Sequence, residues 1–434
     1  MNTRNIFFSF VLLFALIGCS GFSTGEFLPD NETAKNEVIP TPEAPLTRDI
    51  AQMTVATVNA APIDSKDVYV DGHISIEANG TSATNVLEAD AKLKGRGNFT
   101  WTLDKKPYKI KYASKTRMMG MPADKEWVLL ANHVDKTLIR TAAAFEFSRR
   151  VGTEYSPRGD FVDLILNGNP VGSYMLTESV KIAPDRVNIS VLSATDLTGE
   201  ALTGGYLVEL NERLDETVNW RSTRGVAYSL KEPSAPPVEQ SDYIRNYMNA
   251  AETALYAADF ADPVNGYAKY IDVGSFINLY LVHELFKNKD AANFSSIYLF
   301  KDRNQKLKMG PPWDFDLGGG NSNSVESNNP VGWWLRANSP WYSRLFEDPN
   351  FTAKVKDKWN AMKAAKIDTM DDFFDKTAYR MGISQKKNFD VWKIMGVKIF
   401  DEVTPLASYD DEVNFLKTWI KTRTAWIDQE LNKP

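Results

Sequence analysis

The chain of 434 residues has one cysteine, Cys19, and three histidines, His73, His133 and His283. A single thiol excludes an internal disulfide and any thiolate metal cage. The histidines lack ligand-like spacing, so an imidazole zinc site is not expected. There is no G-x-S-x-G nucleophile elbow and no Walker lysine loop. Positive charge is not in excess either: the formal net charge is -6. A broad nucleic-acid footprint needs a basic surplus, so nucleic acid is not an expected partner. Long hydrophobic runs are missing. The apolar run over residues 6–17 has twelve residues, and a membrane span needs about 20.

That short run has a definite context. Residues 1–5 carry Arg4, and Leu16-Ile17-Gly18-Cys19 closes the run. A charged start, a short apolar stretch and a small residue before the cut make a secretory signal. A cysteine at the cut resembles the bacterial lipoprotein signal, in which Cys19 is lipid-modified and becomes the mature N-terminus. A plain signal peptide with an incidental cysteine is the other reading. Residues 19–48 hold Pro29, Pro40, Pro42 and Pro45 among scattered acids, the composition of a disordered tether. The expected organisation is therefore a lipoprotein signal over 1–18, a tether over 19–48 and a folded domain over 49–434. The expected place is the bacterial cell envelope, outside the cytoplasm, anchored to a membrane through lipid on Cys19.

What is present in the folded part is an ordinary globular balance, 43% hydrophobic and 24% charged. Residues 68–76, 89–93 and 108–112 alternate apolar and polar, which predicts strands. Residues 161–166 and 171–176 flank Asn167-Gly168-Asn169-Pro170, a hairpin signal. Residues 206–210 form another strand. Helical spacing covers 136–151, 243–255, 273–286, 351–365 and 412–431. Residues 297–300 and 306–309 read as a small hairpin between helices. The fold class is α+β, with a strand-rich N-terminal half and a helix-rich C-terminal half, the layout of two lobes around a cleft.

The residues left to carry chemistry are acids and bases. Asp290 follows a predicted helix, a predicted hairpin comes next, and then Trp313-Asp314-Phe315-Asp316, with Asp314 24 residues after Asp290. This is the order in which protein-kinase-like enzymes set an acid beside the acceptor hydroxyl and a second acid on the metal. Taken singly, Asp290 reads as a loop residue, and Asp314 and Asp316 as a solvated strand end before the flexible Gly318-Gly319-Gly320. The first half offers cations for phosphates: Arg96 in Lys94-Gly95-Arg96-Gly97-Asn98, and Lys106 and Lys109 at the next strand. Glu146, in the helix predicted over 136–151, is the candidate acid to orient such a lysine. Glu178, in Thr177-Glu178-Ser179-Val180, falls where a hinge between lobes would meet a nucleotide base. Wet-face lysines on strands are the plainer reading of the same pattern.

Six segments taken together are similar to one family. They are residues 93–98, 105–112, 132–140 (N-H-V-D-K-T-L-I-R), 172–182 (G-S-Y-M-L-T-E-S-V-K-I), 288–300 and 312–316. The chain resembles the spore-coat-protein-H kinases, the CotH-type kinases, over about residues 53–431, and the closing Trp419-Ile420-x-x-Arg423-x-x-Trp426 fits the same pattern. The resemblance implies an atypical protein-kinase-like two-lobed fold, ATP with Mg2+ or Mn2+, and phosphorylation of exported proteins. It implies Asp290 as the catalytic acid and Asp314 as the principal metal ligand. A protein-kinase catalytic loop has Asn five residues after the Asp; here that position is Ser295, and the nearest Asn is Asn293. The Gly of the kinase D-F-G triplet is Asp316. Asp316 and Asn293 are thus the candidate helper ligands. The expected partners are a nucleotide, an exported protein or surface-glycan substrate, and the membrane. Two rival readings are an inactive kinase-like lipoprotein that binds glycan or protein, with Trp333, Trp334 and Trp341 exposed for sugar stacking, and a structural calcium site at Asp314 and Asp316.

Overall fold

The computed structural model describes residues 50–77, 87–400 and 405–433. The signal over 1–18, Cys19 and the tether lie outside the described residues. Seven strands come first: β1 (Ala51–Thr57), β2 (Val70–Glu77), β3 (Leu87–Gly95), β4 (Tyr108–Thr116), β5 (Asp124–Leu130), β6 (Gly159–Leu166) and β7 (Asn169–Glu178). They close into a barrel in the order β1-β2-β3-β4-β5-β7-β6. The β1–β6 pair is parallel and seals it. Period-2 alternation sends Met53, Val55, Ile74, Ile76, Ile110 and Leu129 to the interior, each fully buried. The β6–β7 turn is Asn167-Gly168, at φ 50° and 79°. Positive φ at both central residues is what a type I′ hairpin needs, and Asn-Gly tolerates it.

A second sheet has the order β12-β11-β8-β10-β9, made of β8 (Tyr206–Leu210), β9 (Asn219–Arg221), β10 (Ala227–Glu232), β11 (Ile297–Lys301) and β12 (Lys308–Met309). The expected small hairpin is thus the edge of a larger sheet. The helices Val238–Tyr256, Val273–Phe286, Pro349–Met362, Met370–Arg380 and Tyr409–Leu431 complete this part, while the Ser384–Val391 helix packs on β7 of the barrel. The Val273–Phe286 helix is buried along nearly its whole circumference, as expected of a central core helix. Asp272 starts it, its carboxylate accepting from Ser275 N at 2.7 Å. The closing helix starts at Ser408, whose Oγ accepts from Asp411 N at 3.1 Å.

The mixed α+β architecture has its strand-rich half first and its helix-rich part second. Two expectations are corrected. The helix expected over 136–151 spans only Arg140–Val151. Leu138 is left-handed at φ 63°, and the Asp135 carboxylate accepts from Thr137 N at 3.0 Å and Arg140 N at 2.9 Å. That local capping holds residues 135–139 in a turn and delays the helix. Secondly, Asp314 and Asp316, read singly as a solvated strand end, lie on no strand.

Candidate active site

A cavity of about 450 Å³ lies between the barrel and the sheet-and-helix part. The barrel contributes Lys94, Arg96 and Lys109, together with the loop 97–100. The opposite wall contributes Glu209, Lys231, Asp290, Ser296, Asp314 and Asp316. Of the residues expected to act, Arg96, Lys109, Asp290, Asp314 and Asp316 therefore meet at one place.

Lys94 and Lys109 are direct cross-strand partners on β3 and β4. Their neighbours Leu93 and Ile110 point into the barrel, so alternation turns both lysines to the cavity side. Like charges directly opposite destabilise a sheet. Lys109 has Glu126 at 3.2 Å as a counter-ion, which leaves the pair suited to an anion. The Arg96 guanidinium stacks over the Trp313 ring at 5.5 Å. Burial lowers its pKa, while Asp314, Tyr298, Glu209 and Asp316 hold its charge.

On the acid side, Lys287 ends the Val273–Phe286 helix in a left-handed conformation, φ 42°. Its buried ammonium donates to the carbonyls of Glu326, Asn329 and Val331 at 2.6–2.9 Å. Burial pushes its pKa down to about 8. The next turn, Lys289–Ala292, presents Asp290. Asn288 ties this turn to the second acid loop, donating from Nδ2 to the Asp314 carbonyl at 2.9 Å. Asp314 is itself left-handed, φ 66°. Phe315 is fully buried, stacked on His283 with centroids 4.9 Å apart. Burial drives the His283 pKa to about 3, so this imidazole is a neutral packing surface. Asp314 and Asp316 thus share the cavity because an irregular turn buries the residue between them, not because a strand alternates.

The glycines that follow do another job than the one a flexible loop would do. Gly318, Gly319 and Gly320 are buried. A Cβ on Gly319 (φ 59°) would lie 2.7 Å from Leu416, and one on Gly320 (φ 81°) would lie 2.6 Å from Trp419. They let the loop lie directly on the closing helix. The same loop is held from the barrel side. Arg140 donates from Nε to the Gly318 carbonyl at 3.1 Å and pairs with Asp135 at 2.5 Å. Asn321 Nδ2 reaches the carbonyls of Val134 and Asp316. So the 132–140 segment fastens the acid loop. Arg423 fastens the other side, donating to Glu284 O, Pro330 O and Gly332 O and pairing with the Glu284 carboxylate.

The remaining expected residues sit elsewhere. Lys106 donates to the Trp101 carbonyl at 2.8 Å and does not line the cavity. Glu146 is occupied by Arg149 and Arg150 on its own helix, because i+3 and i+4 arginines are its nearest neighbours. Glu178 is fully buried among Arg158, Arg186 and Tyr155, so its carboxylate braces the end of β7 and is not offered to a base. Asn293 is exposed and outside the cavity lining; the neighbour that lines it is Ser296. Trp341 is buried, Trp333 packs edge-on to Trp426 at 4.8 Å, and Trp334 donates to the Asn288 carbonyl at 2.8 Å. These rings serve the core and the acid turn, and none of the three forms an exposed sugar platform. Lys94, Lys231, Glu209 and Ser296 were not singled out from the sequence; Lys94 and Ser296 lie within motif segments, whereas Glu209 and Lys231 reach the cavity only through the pairing of β8, β10 and β11.

The donor set fits a divalent cation that also holds phosphates. Among the described residues no three His, Cys, Asp or Glu side chains converge into a metal cage. Mg2+ takes one or two carboxylates and completes its shell with phosphate and water, and Asp314 and Asp316 supply that number. Burial first, then Asp314, Asp290 and Asp135, push the Asp316 carboxyl well above the usual range. Burial and neighbouring acids raise a carboxyl in this way, and a divalent cation among them would reverse it.

Cavity, cations and paired acids are the elements that a phosphoryl-transfer site uses. The family model of the CotH kinase protein matches residues 93–427, and the chain belongs to the CotH kinase family, a protein kinase family whose kinase character implies use of ATP. No curated protein gives a significant match.

Proposed function

We propose that the chain is an exported, lipid-anchored kinase with an atypical two-lobed fold. It moves the γ-phosphoryl group of ATP to a Ser or Thr hydroxyl of an exported protein, or to a hydroxyl of a surface polymer. The observation that carries this reading is the shared cavity: cations on the barrel wall face Asp290, Asp314 and Asp316 on the other. Asp314 and Asp316 would hold Mg2+ or Mn2+, which when bound neutralises the phosphate charge that builds up during transfer. Arg96, Lys94 and Lys109 would pair with phosphate oxygens. Asp290 would accept the proton of the acceptor hydroxyl as its oxygen bonds to phosphorus and the bond to the β-phosphate oxygen breaks, releasing ADP.

The test is thermal melting with ATP, with Mn2+ and with both. Both together are expected to raise the melting temperature beyond the sum of the separate effects. Stabilisation by metal alone would point instead to a structural ion site, and no shift under any condition would remove the nucleotide from this cavity. The anchor is tested in cells: Cys19→Ala is expected to abolish incorporation of labelled fatty acid, and normal incorporation would sink the lipoprotein reading.

A further inference from the structure

Two residues that are not glycine adopt the left-handed conformation where the catalytic turn meets the acid loop: Ser296 at φ 63° and Asp314 at φ 66°. Such residues carry backbone strain and persist only where their surroundings impose them. The two are joined directly. Ser296 Oγ donates to Asp314 Oδ2 at 3.1 Å. Ser296 lies just before β11 and is nearly buried.

What imposes the Ser296 conformation is also visible. Its backbone N–H donates to Glu209 Oε1 at 2.9 Å. Glu209 sits in the middle of β8, paired with Tyr298 of β11 on one side and Ser229 of β10 on the other. Its other oxygen is 3.2 Å from Lys231 Nζ. A charged chain on a central strand therefore sets the backbone of Ser296. The hydroxyl of Ser296 in turn fixes the rotation of the Asp314 carboxylate and occupies Oδ2, leaving Oδ1 for another partner. A glycine would adopt this φ without cost but would leave the carboxylate unheld.

Resting on the reading of Asp314 as a metal-holding acid, we propose that Ser296 is a positioning residue. It orients the Asp314 carboxylate for the divalent cation, and Glu209 with Lys231 acts through it. Hydrogen-bond partners behind a ligand often govern metal affinity as strongly as the ligands do. A merely structural role makes the opposite forecast, that losing Ser296 costs stability first.

The test uses Ser296→Gly, which deletes the hydroxyl and relieves the backbone, with Asp314→Ala alongside. Calorimetric titration measures ATP binding with and without Mn2+, and melting is followed without ligand. Ser296→Gly is expected to melt no lower than the unaltered protein, to bind metal-free ATP equally well, and to bind Mn2+–ATP about 10-fold more weakly. Ser296→Ala, which keeps the strained backbone, should show the same loss with a lower melting temperature. Unaltered Mn2+–ATP affinity in Ser296→Gly, with a loss in Asp314→Ala, overturns the positioning role and leaves the metal site standing. Unaltered affinity in both overturns the metal site itself.

Discussion

The two walls of the cavity are built by different means. The barrel wall shows its cations on regular strands: Lys94 and Lys109 are cross-strand partners, and their positions follow from alternation over an apolar interior. The acid wall has no regular backbone where it matters. Lys287, Ser296 and Asp314 are all left-handed without being glycine; Asn288 holds the Asp314 carbonyl, and the neighbouring loops are fastened by Arg140 at Gly318 and by Arg423 at Gly332. The difference fits the chemistry each wall would do. A lysine on a long flexible stem finds a phosphate from an approximate position. A base and a metal ligand need placement within a fraction of an ångström, so their supports must be rigid and specific.

The comparison breaks first at Asp290. If the acid wall performs proton transfer, Asp290→Asn should lower the rate of phosphate transfer by about 10²–10⁴-fold, while ATP binding stays unchanged. The amide keeps the size of the side chain but takes no proton. Removing a barrel cation, as in Lys109→Met, should instead weaken ATP binding with a much smaller loss of rate at saturation. Equal transfer rates for Asp290→Asn and the unaltered protein would end the assignment.

Within the acid wall the next contrast is between its two aspartates. Asp314 carries the left-handed backbone and the Ser296 hydroxyl, whereas the Asp316 carboxyl has a pKa pushed up by burial and neighbouring acids, with its own backbone N–H in partial opposition. Asp314→Ala is therefore expected to weaken Mn2+–ATP binding more than Asp316→Ala, by roughly 10-fold against a few-fold. Calorimetry on both variants decides it. A larger loss in Asp316→Ala would make Asp316 the principal ligand. The sign of any pH effect follows too: the raised Asp316 pKa means that falling pH protonates it before an ordinary carboxyl, so metal-dependent binding should weaken as pH falls.

How much of this was legible in the sequence follows the same divide. Strands β2–β4, the Asn-Gly hairpin and the Val273–Phe286 helix were readable because each has one period and clear ends. Barrel closure was not, because the β1–β6 pairing joins segments more than a hundred residues apart and no local pattern records it. Asp290, Asp314 and Asp316 were found by residue type and order. The geometry between them was misread as a strand, since nothing in Trp-Asp-Phe-Asp announces a left-handed Asp314. Glu146 and Glu178 were plausible by position and failed by company: each has arginines within reach that the sequence did not weigh. The cluster Asn132 to Arg140 was noticed as a motif, but its task, bracing the loop after Asp316, needs the tertiary structure to be seen.

The finest contrast is between two lysines four residues apart, Lys105 and Lys109. Lys109 faces the cavity; Lys105 is buried in the seam between β7 and the Ser384–Val391 helix, donating to Ser173 O at 2.5 Å and Asn388 Oδ1 at 2.8 Å. Around it lie Asp163, itself engaged by Ser173, Ser384 and Lys387, and the Tyr174 ring at 4.6 Å. Burial lowers the Lys105 pKa to about 7, against partial opposition from Asp163. The unfolded chain keeps the ordinary lysine value, 10.5. Between these two values the unfolded state binds a proton that the folded state does not, so this group makes stability rise with pH across that window. The slope is at most about 1.4 kcal/mol per pH unit. Lys105→Met keeps the stem and removes the titration. Urea unfolding at pH 7, 8 and 9 is expected to show the unaltered protein gaining on the variant by roughly 1 kcal/mol per unit. Parallel stability curves for the two would mean that Lys105 stays charged in the fold, and that the seam tolerates a buried ammonium as readily as the cavity tolerates Lys109.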